Sequence, residues 1–403
     1  MSAGRLKLLF AHDALLILKN TMSLPSLLHI LRSAPCHGHP SLQLFDDKLR
    51  ESLAAVLNVA LDDAQWCQAS LPVRDGGLGI RSAVQLAPSA FLASAAASAP
   101  LVARIHTGTG LTISDPGQAS SLTAWSALGG SDANLVLAPG SQRAWDAQIV
   151  NHVRDSLVAS LPDEPSQARL RAVMSPHSGD WLHAFPITAV GLRLSDEEIR
   201  IAAGLRLGSV LCAPHTCRCG ALVTALGQHG LSCRMCKGRH LRHNLINDLI
   251  FRALIRAGIP SIREPTGLIV GSPLKPDGVT MIPWASGRRL AWDATTPDTL
   301  AVSHLATTSL QAGGAAASAA RLKNVKYEEF ARTYTFVPVA VETLGAWDAV
   351  GLGMMMDLGR RLTARTGDQR ETFFLLQRLS VAIQKGNAAS VLGTLPKEDE
   401  EEI

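Results

Sequence analysis

Two aspartates and two lysines in the second half of the chain are residue types that phosphodiester chemistry uses. Lys275-Pro276-Asp277-Gly278 precedes one apolar run, and Asp293 stands inside another, between Trp292 and Ala294. Pro283–Arg288 can turn the first run back onto the second, which sets Asp277 and Asp293 at neighbouring positions of a hairpin. Strand alternation sends Asp293 to the face opposite both of its neighbours. Two carboxylates can hold a hard divalent ion such as Mg²⁺ or Mn²⁺. Such an ion polarises a phosphodiester, activates water and stabilises the leaving oxygen. Lys323 and Lys326 share a face of a predicted helix and precede Tyr327. Either ammonium could orient water or stabilise the transition state. Glu264, just before Pro265, is an accessory candidate for the metal shell. Each has a plainer alternative: a turn aspartate at 277, a paired buried one at 293, a solvated helix face for the lysines and an exposed turn carboxylate at 264.

A second cluster has different chemistry. Five of the seven cysteines fall between Cys212 and Cys236. Cys217-Arg218-Cys219-Gly220 and His229-Gly-Leu-Ser-Cys233 supply the thiolate and imidazole donors of a structural zinc site, with Gly220 forming the tight turn. Cys212, His215 and Cys236 are spare candidates, and Cys236 is the strongest rival to Cys233. The alternative is a set of small buried side chains beside a surface histidine. Arg234, Lys237, Arg239, His240, Arg242 and His243 follow closely and suit a polyanion partner; a solvated basic helix start is the alternative.

The elements that must position these groups can be read from apolar periodicity. A helix is expected over Arg239–Ala257, stopped by Gly258 and Pro260, with Arg242, Asn244, Asp248 and Arg252 reaching water or a ligand. Strands are expected at Gly267–Val270, Gly278–Ile282, Arg289–Thr295 and Thr335–Val341. Helices are expected over Thr299–Leu310, Ala315–Phe330 and Val350–Leu392. The fold class is therefore an α/β domain, a mixed sheet flanked by helices, preceded by a zinc module and a mostly helical amino-terminal region.

The expected organisation is a helical region over 1–105, a linker or insertion over 106–141 with little regular structure, and a helical connector over 142–210. A zinc module over 211–238, the α/β domain over 239–392 and an acidic tail over 393–403 follow. The 403 residues, 47% of them hydrophobic, exclude a minimal scaffold and a wholly disordered chain. The net charge of +4 is mild for a nucleic-acid binder. Leu6–Leu18 is broken by His12 and Asp13, and Phe91–Arg104 is short for a bilayer. An intracellular protein without a membrane partner is the expectation, and the odd number of cysteines agrees.

Taken in order, these motifs resemble the carboxy-terminal region of non-LTR retrotransposon proteins that carry a restriction-like endonuclease. The matching residues are Cys217, Cys219, His229 and Cys233, then Arg242-His243-Asn244, Lys275-Pro276-Asp277, Asp293, and Lys323 with Lys326-Tyr327. Ala11–Leu15, Leu31–Cys36 and Leu71–Ile80 resemble the segment after the polymerase core of such elements. The resemblance implies a PD-(D/E)xK endonuclease that nicks target DNA. Asp277 and Asp293 would ligate Mg²⁺ or Mn²⁺, Lys323 or Lys326 would assist catalysis, and Arg242, His243, Asn244 and Lys275 would contact nucleic acid. It implies structural zinc, a DNA target, element RNA as a further partner, association with a complete reverse transcriptase, and a nuclear site of action. Thr295 stands where the broad fold type has lysine, so a lysine from the later helix must take that role. The Asp-Asp pairs are Asp46-Asp47 and Asp62-Asp63, neither ending a strand-like segment. The chain is thus expected to lack a polymerase palm and not to act as a reverse transcriptase by itself. A catalytically inactive nucleic-acid-binding remnant is the alternative.

Overall fold

Helix signals dominate the first part of the chain and alternate with strand signals in the second. The structure, a computed structural model, describes residues 10–106, 116–131, 141–269 and 273–396. The chain divides into two units, Met1–Leu161 and Pro162–Ile403. The expected connector 142–210 is therefore split, its first helix belonging to the first unit.

The first unit is helical: α1 Ala11–Ile17, α2 Leu28–Ser33, α3 Pro40–Leu57, α4 Asp63–Ala69, α5 Ala83–His106, α6 Pro116–Ala127 and α7 Gln142–Ser160. Asp62 opens α4 with a reciprocal capping box to Gln65. Asp46, buried on α3, accepts from Ser82 Oγ and the Ala83 and Val84 amides, and so caps α5. Both Asp-Asp pairs thus belong to helices and their caps. Helix α6 corrects the expectation of little regular structure over 106–141. Trp125 anchors it, donating from Nε1 to the Trp145 carbonyl at 3.1 Å, with the two rings edge to face at 4.9 Å. The rest of that stretch, 107–115 and 132–140, lies outside the described residues. Ala11–Ser33 and Ala83–Ile105 are long and apolar enough to cross a bilayer by length and composition. Buried core helices meet the same test, and Ala83, Ala87 and Ala90 pack in this unit's core with Leu31 and Leu42.

The second unit mixes helix and sheet. Helix α8 spans Glu164–Val173, and α9 spans Asp196–Leu207 between a Ser195/Glu198 capping box and Gly208 at φ 72°. A two-stranded hairpin, β1 His215–Thr216 with β2 Leu222–Val223, leads to α10 His229–Ser232 and α11 Gly238–Arg256. A four-stranded sheet follows, in the order β3 Ser261–Arg263, β4 Gly278–Ala285, β5 Arg288–Thr295, β6 Thr335–Ala340. The first three strands are antiparallel and β6 runs parallel to β5. A parallel partner requires a crossover, supplied by α12 Val302–Thr308, α13 Gly314–Lys326 and α14 Phe330–Thr333. Helices α15 Ala349–Thr366 and α16 Glu371–Leu392 complete the unit.

The strand expected at Gly267–Val270 is displaced. Pairing with β4 falls on Ser261–Arg263, and Gly267 sits at φ 70°, outside strand geometry; Val270 lies outside the described residues. Ser286 and Gly287, both with positive φ, make the two-residue turn between β4 and β5. Alternation on β5 then separates two cores. Leu290, Trp292 and Ala294 pack with Ile246, Ile250, Val339, Met355 and Leu379, the side of α11, α15 and α16. Ala291 packs with Val279, Tyr327 and Phe330, the side of α13 and α14. Of the expected tail, residues 397–403 lie outside the described residues.

Candidate active site and metal centre

The β4–β5 register places the two aspartates. Gly278 pairs with Trp292, so the next step sets Asp277 opposite Asp293 at the end of the ladder. Gly278 is required there, because a Cβ at that position would lie 2.1 Å from the Trp292 ring. Asp293 is 4% exposed and is ion-paired with Lys323 Nζ, reaching from α13. Lys326 takes a different place. It is exposed, with Nζ 4.8 Å from the Tyr327 ring centroid and 3.4 Å from its hydroxyl. Tyr327 is buried and donates to the Lys275 carbonyl at 2.8 Å. Burial first, then the neighbouring Asp293 carboxylate, push the Tyr327 hydroxyl well above its ordinary pKa, so it stays protonated.

Helix α11 holds the other aspartate. Asp277 Oδ2 lies 3.2 Å from His243 Nε2 and accepts from the Ala294 amide at 2.6 Å. Burial raises its pKa, but hydrogen bonds from His243, Asn247 and Ala294 together with the histidine charge outweigh this, and the net shift is downward. His243 moves the opposite way, its pKa raised chiefly by the hydrogen bond to Asp277 against opposing desolvation. Asn247, one turn after His243, also takes the Trp292 indole proton on Oδ1 at 3.3 Å. Sequence reasoning missed Asn247; its signal was the four-residue spacing from His243 on one helix face. Asn244 is exposed beside His243. Lys275 is exposed with its carbonyl committed to Tyr327. Glu264 is exposed at φ 46° and touches the site through its backbone amide, which donates to the Asp277 carbonyl at 2.9 Å. Its carboxylate does not join the aspartates in a converging ligand set.

Arg242 corrects the expectation of a ligand-facing cation. It is 1% exposed and donates to the Leu231 and Gly386 carbonyls, Asn387 Oδ1 and Ser390 Oγ. Burial lowers its pKa to about 10, still leaving it charged at neutral pH. Gly386 makes room, since a Cβ there would sit 1.8 Å from Arg242 Cγ. The guanidinium ties α11 to α16 and to the Cys/His module.

In that module Cys217, Cys219, His229 and Cys233 converge, with their ligand atoms within 4.8 Å of one another. Gly220 at φ 86° lets the chain turn so that the Gly220 amide reaches the Cys217 carbonyl at 2.8 Å. The Cys217–Cys233 sulfur separation is 3.8 Å, close to the edge of roughly 3.8 Å that a tetrahedron with ~2.3 Å Zn–S bonds requires. Cys219 Sγ and His229 Nε2 are 3.2 Å apart, a little inside the corresponding edge of about 3.6 Å. The donor set therefore fits a metal ion. Cys236 stands beside it as a thiol: burial and the adjacent Cys233 push its pKa up to about 12. Cys233 is lowered to about 6, because the Met235 amide and neighbouring thiols donate to it against the effect of burial. His215 is turned away, its ring nitrogens engaging the Ala213 carbonyl and Thr394 Oγ1. Cys212 Sγ faces the Thr224 carbonyl at 3.5 Å. Arg234, Lys237, Arg239 and His240 are exposed at the module's exit.

Comparison of the chain with protein-family models and with curated proteins finds no match.

Proposed function

We propose that this chain is a metal-dependent DNA endonuclease of the restriction-like type found in non-LTR retroelements, with a structural zinc module and without a polymerase palm. The observation that supports this reading is the strand register that sets Asp277 opposite Asp293, with His243 on the first and Lys323 on the second. Asp277 and Asp293 would hold Mg²⁺ or Mn²⁺, which would supply Lewis-acid stabilisation to a phosphodiester. Lys323 supplies a cation on Asp293 that can neutralise charge on a phosphoryl oxygen. His243 and Asn247 fix the Asp277 carboxylate, and Tyr327 braces the segment before it through the Lys275 carbonyl. Lysine from the crossover helix replaces the one that the broad fold type places two residues after the second acid.

Cys217, Cys219, His229 and Cys233 would hold zinc, tying the β1–β2 hairpin to α10. The exposed cations Arg234, Lys237, Arg239 and Lys275 suit DNA phosphates, with element RNA and a complete reverse transcriptase as further partners and the nucleus as the place of action. A specific observation also favours the second reading, a nucleic-acid-binding remnant: both aspartates already have cationic partners from the chain itself. Conversion of supercoiled plasmid to open circle separates the two. The endonuclease reading expects conversion with Mg²⁺ or Mn²⁺ and none with chelator; retained DNA binding without conversion supports the remnant.

A further inference from the structure

Helix α11 presents a second face to a cavity. Leu245, Asp248, Leu249, Arg252 and Arg256 follow helical spacing on the side away from His243 and Asn247. With Arg378 and Lys385 of α16 they line a cavity of about 540 Å³ that Glu371 also borders. Asp248 pairs with Arg252 at 2.7 Å and Glu371 pairs with Arg256 at 2.5 Å, so both carboxylates are neutralised within the wall. Arg378 and Lys385 remain as a surplus of two positive charges. Arg378 Nε is buried without a hydrogen-bond partner. The charged guanidinium is disfavoured there, first by desolvation and then by the like charge of Arg256, with Glu371 offsetting part of this. Lys385 is held at the rim by its bond to the Gly191 carbonyl at 3.2 Å. A dianion would offset the surplus charge and the unfavourable setting of Arg378, and guanidinium forks match phosphate oxygens. A phosphomonoester carries about −1.5 to −2 charges at neutral pH. Leu245, Leu249, Ala253, Leu362 and Leu375 give the cavity an apolar wall, beside Thr188, and the volume lies in the ~300–1,000 Å³ range of small-ligand sites.

We infer that this cavity binds a phosphomonoester attached to an apolar or aromatic body, with Arg378 and Lys385 on the phosphate. The ligand chemistry is that of a nucleoside monophosphate, supplied free or as the 5′-phosphorylated end of a nucleic-acid strand. The inference is independent of the nuclease reading, since a chain that never nicks DNA would still bind it. Isothermal titration of the full chain with AMP, adenosine and inorganic phosphate tests it. AMP should saturate one site, while adenosine and inorganic phosphate each bind about tenfold more weakly or worse. Arg378→Met and Lys385→Met should each weaken AMP by about tenfold, with Arg378→Lys between them and wild type. Thermal melting of each variant checks the fold, and Lys385→Met at the rim carries the test if Arg378→Met does not fold. A 5′-phosphorylated oligodeoxynucleotide that binds more tightly than its 5′-hydroxyl twin assigns the strand end; equal binding of the two with AMP binding intact assigns the free nucleotide. Absent AMP binding, AMP binding unchanged by both methionine variants, or inorganic phosphate matching AMP would overturn the inference.

Discussion

Lys323 and Lys326 lie one turn apart on α13 and have different surroundings. Lys323 reaches the buried Asp293, whereas Lys326 is exposed over the ring of Tyr327. Removing Lys323 strands a buried carboxylate, so Lys323→Ala should cost about 1–3 kcal/mol of folding stability. Lys326→Ala should cost less than about 0.5 kcal/mol. Chemical denaturation measures both, and the same ranking is expected in nicking rate. The His243–Asp277 pair gives a pH dependence in the metal-free protein. His243 has a folded pKa above 6.5, so its contribution to stability is fully present below that value and is lost as pH rises through the folded pKa. Asp277 has a folded pKa below 3.8, so its contribution is present above that value and is lost as pH falls through the lower one. Denaturation midpoints across this range should therefore lose a high-pH step in His243→Gln; an identical profile in wild type and variant would contradict the pairing.

At the scale of elements, close approach governs the result. Gly278→Ala would drive a methyl group into the Trp292 ring beside both acids, and a loss on the order of 2 kcal/mol is expected, measured by thermal unfolding. Arg242→Leu removes four hydrogen bonds from the junction of α11, α16 and the Cys/His module. It leaves buried carbonyls without donors and should cost about 3 kcal/mol, whereas a ligand-facing arginine would leave stability unchanged. The α11 helix, the β4–β5 hairpin and β6 were legible, because periodicity, turn residues and an apolar run are local signals; the turn expected over Pro283–Arg288 proved shorter, since β4 runs on to Ala285 and leaves Ser286-Gly287 to turn. The hairpin brought the aspartates to neighbouring strands, but their direct opposition was not legible: counted from the turn, Asp277 would face Thr296, and register shifts between Val279 and Ala285 bring Asp293 there instead. The burial of Arg242 was not, because Gly386, Asn387 and Ser390 that enclose it are far along the chain. Helix α6 was hidden by flanking Gly and Pro, and the Trp125–Trp145 contact that anchors it is tertiary. Strand β3 was misplaced because its three residues alternate too briefly to register as a period.

At the scale of the whole molecule, the Cys/His module and the four-stranded sheet belong to one unit, Pro162–Ile403. Purified protein should carry about one zinc per chain by elemental analysis. The double replacement Cys219→Ser with His229→Ala should remove it; zinc that survives would move the ligand set toward Cys212 or Cys236. Chelation should also lower the melting temperature, since metal bound only to the folded module stabilises it. The central claim is that Asp277 and Asp293 carry phosphodiester chemistry. Its most direct test is plasmid nicking by wild type, Asp277→Asn and Asp293→Asn in Mg²⁺ and Mn²⁺, with DNA binding measured on the same preparations. Each asparagine keeps the side-chain size and removes a charge that a hard cation requires. The account predicts nicking by wild type, at least about a hundredfold less by either variant, and DNA binding retained by all three. Nicking at the wild-type rate by folded Asp277→Asn and Asp293→Asn proteins would contradict it.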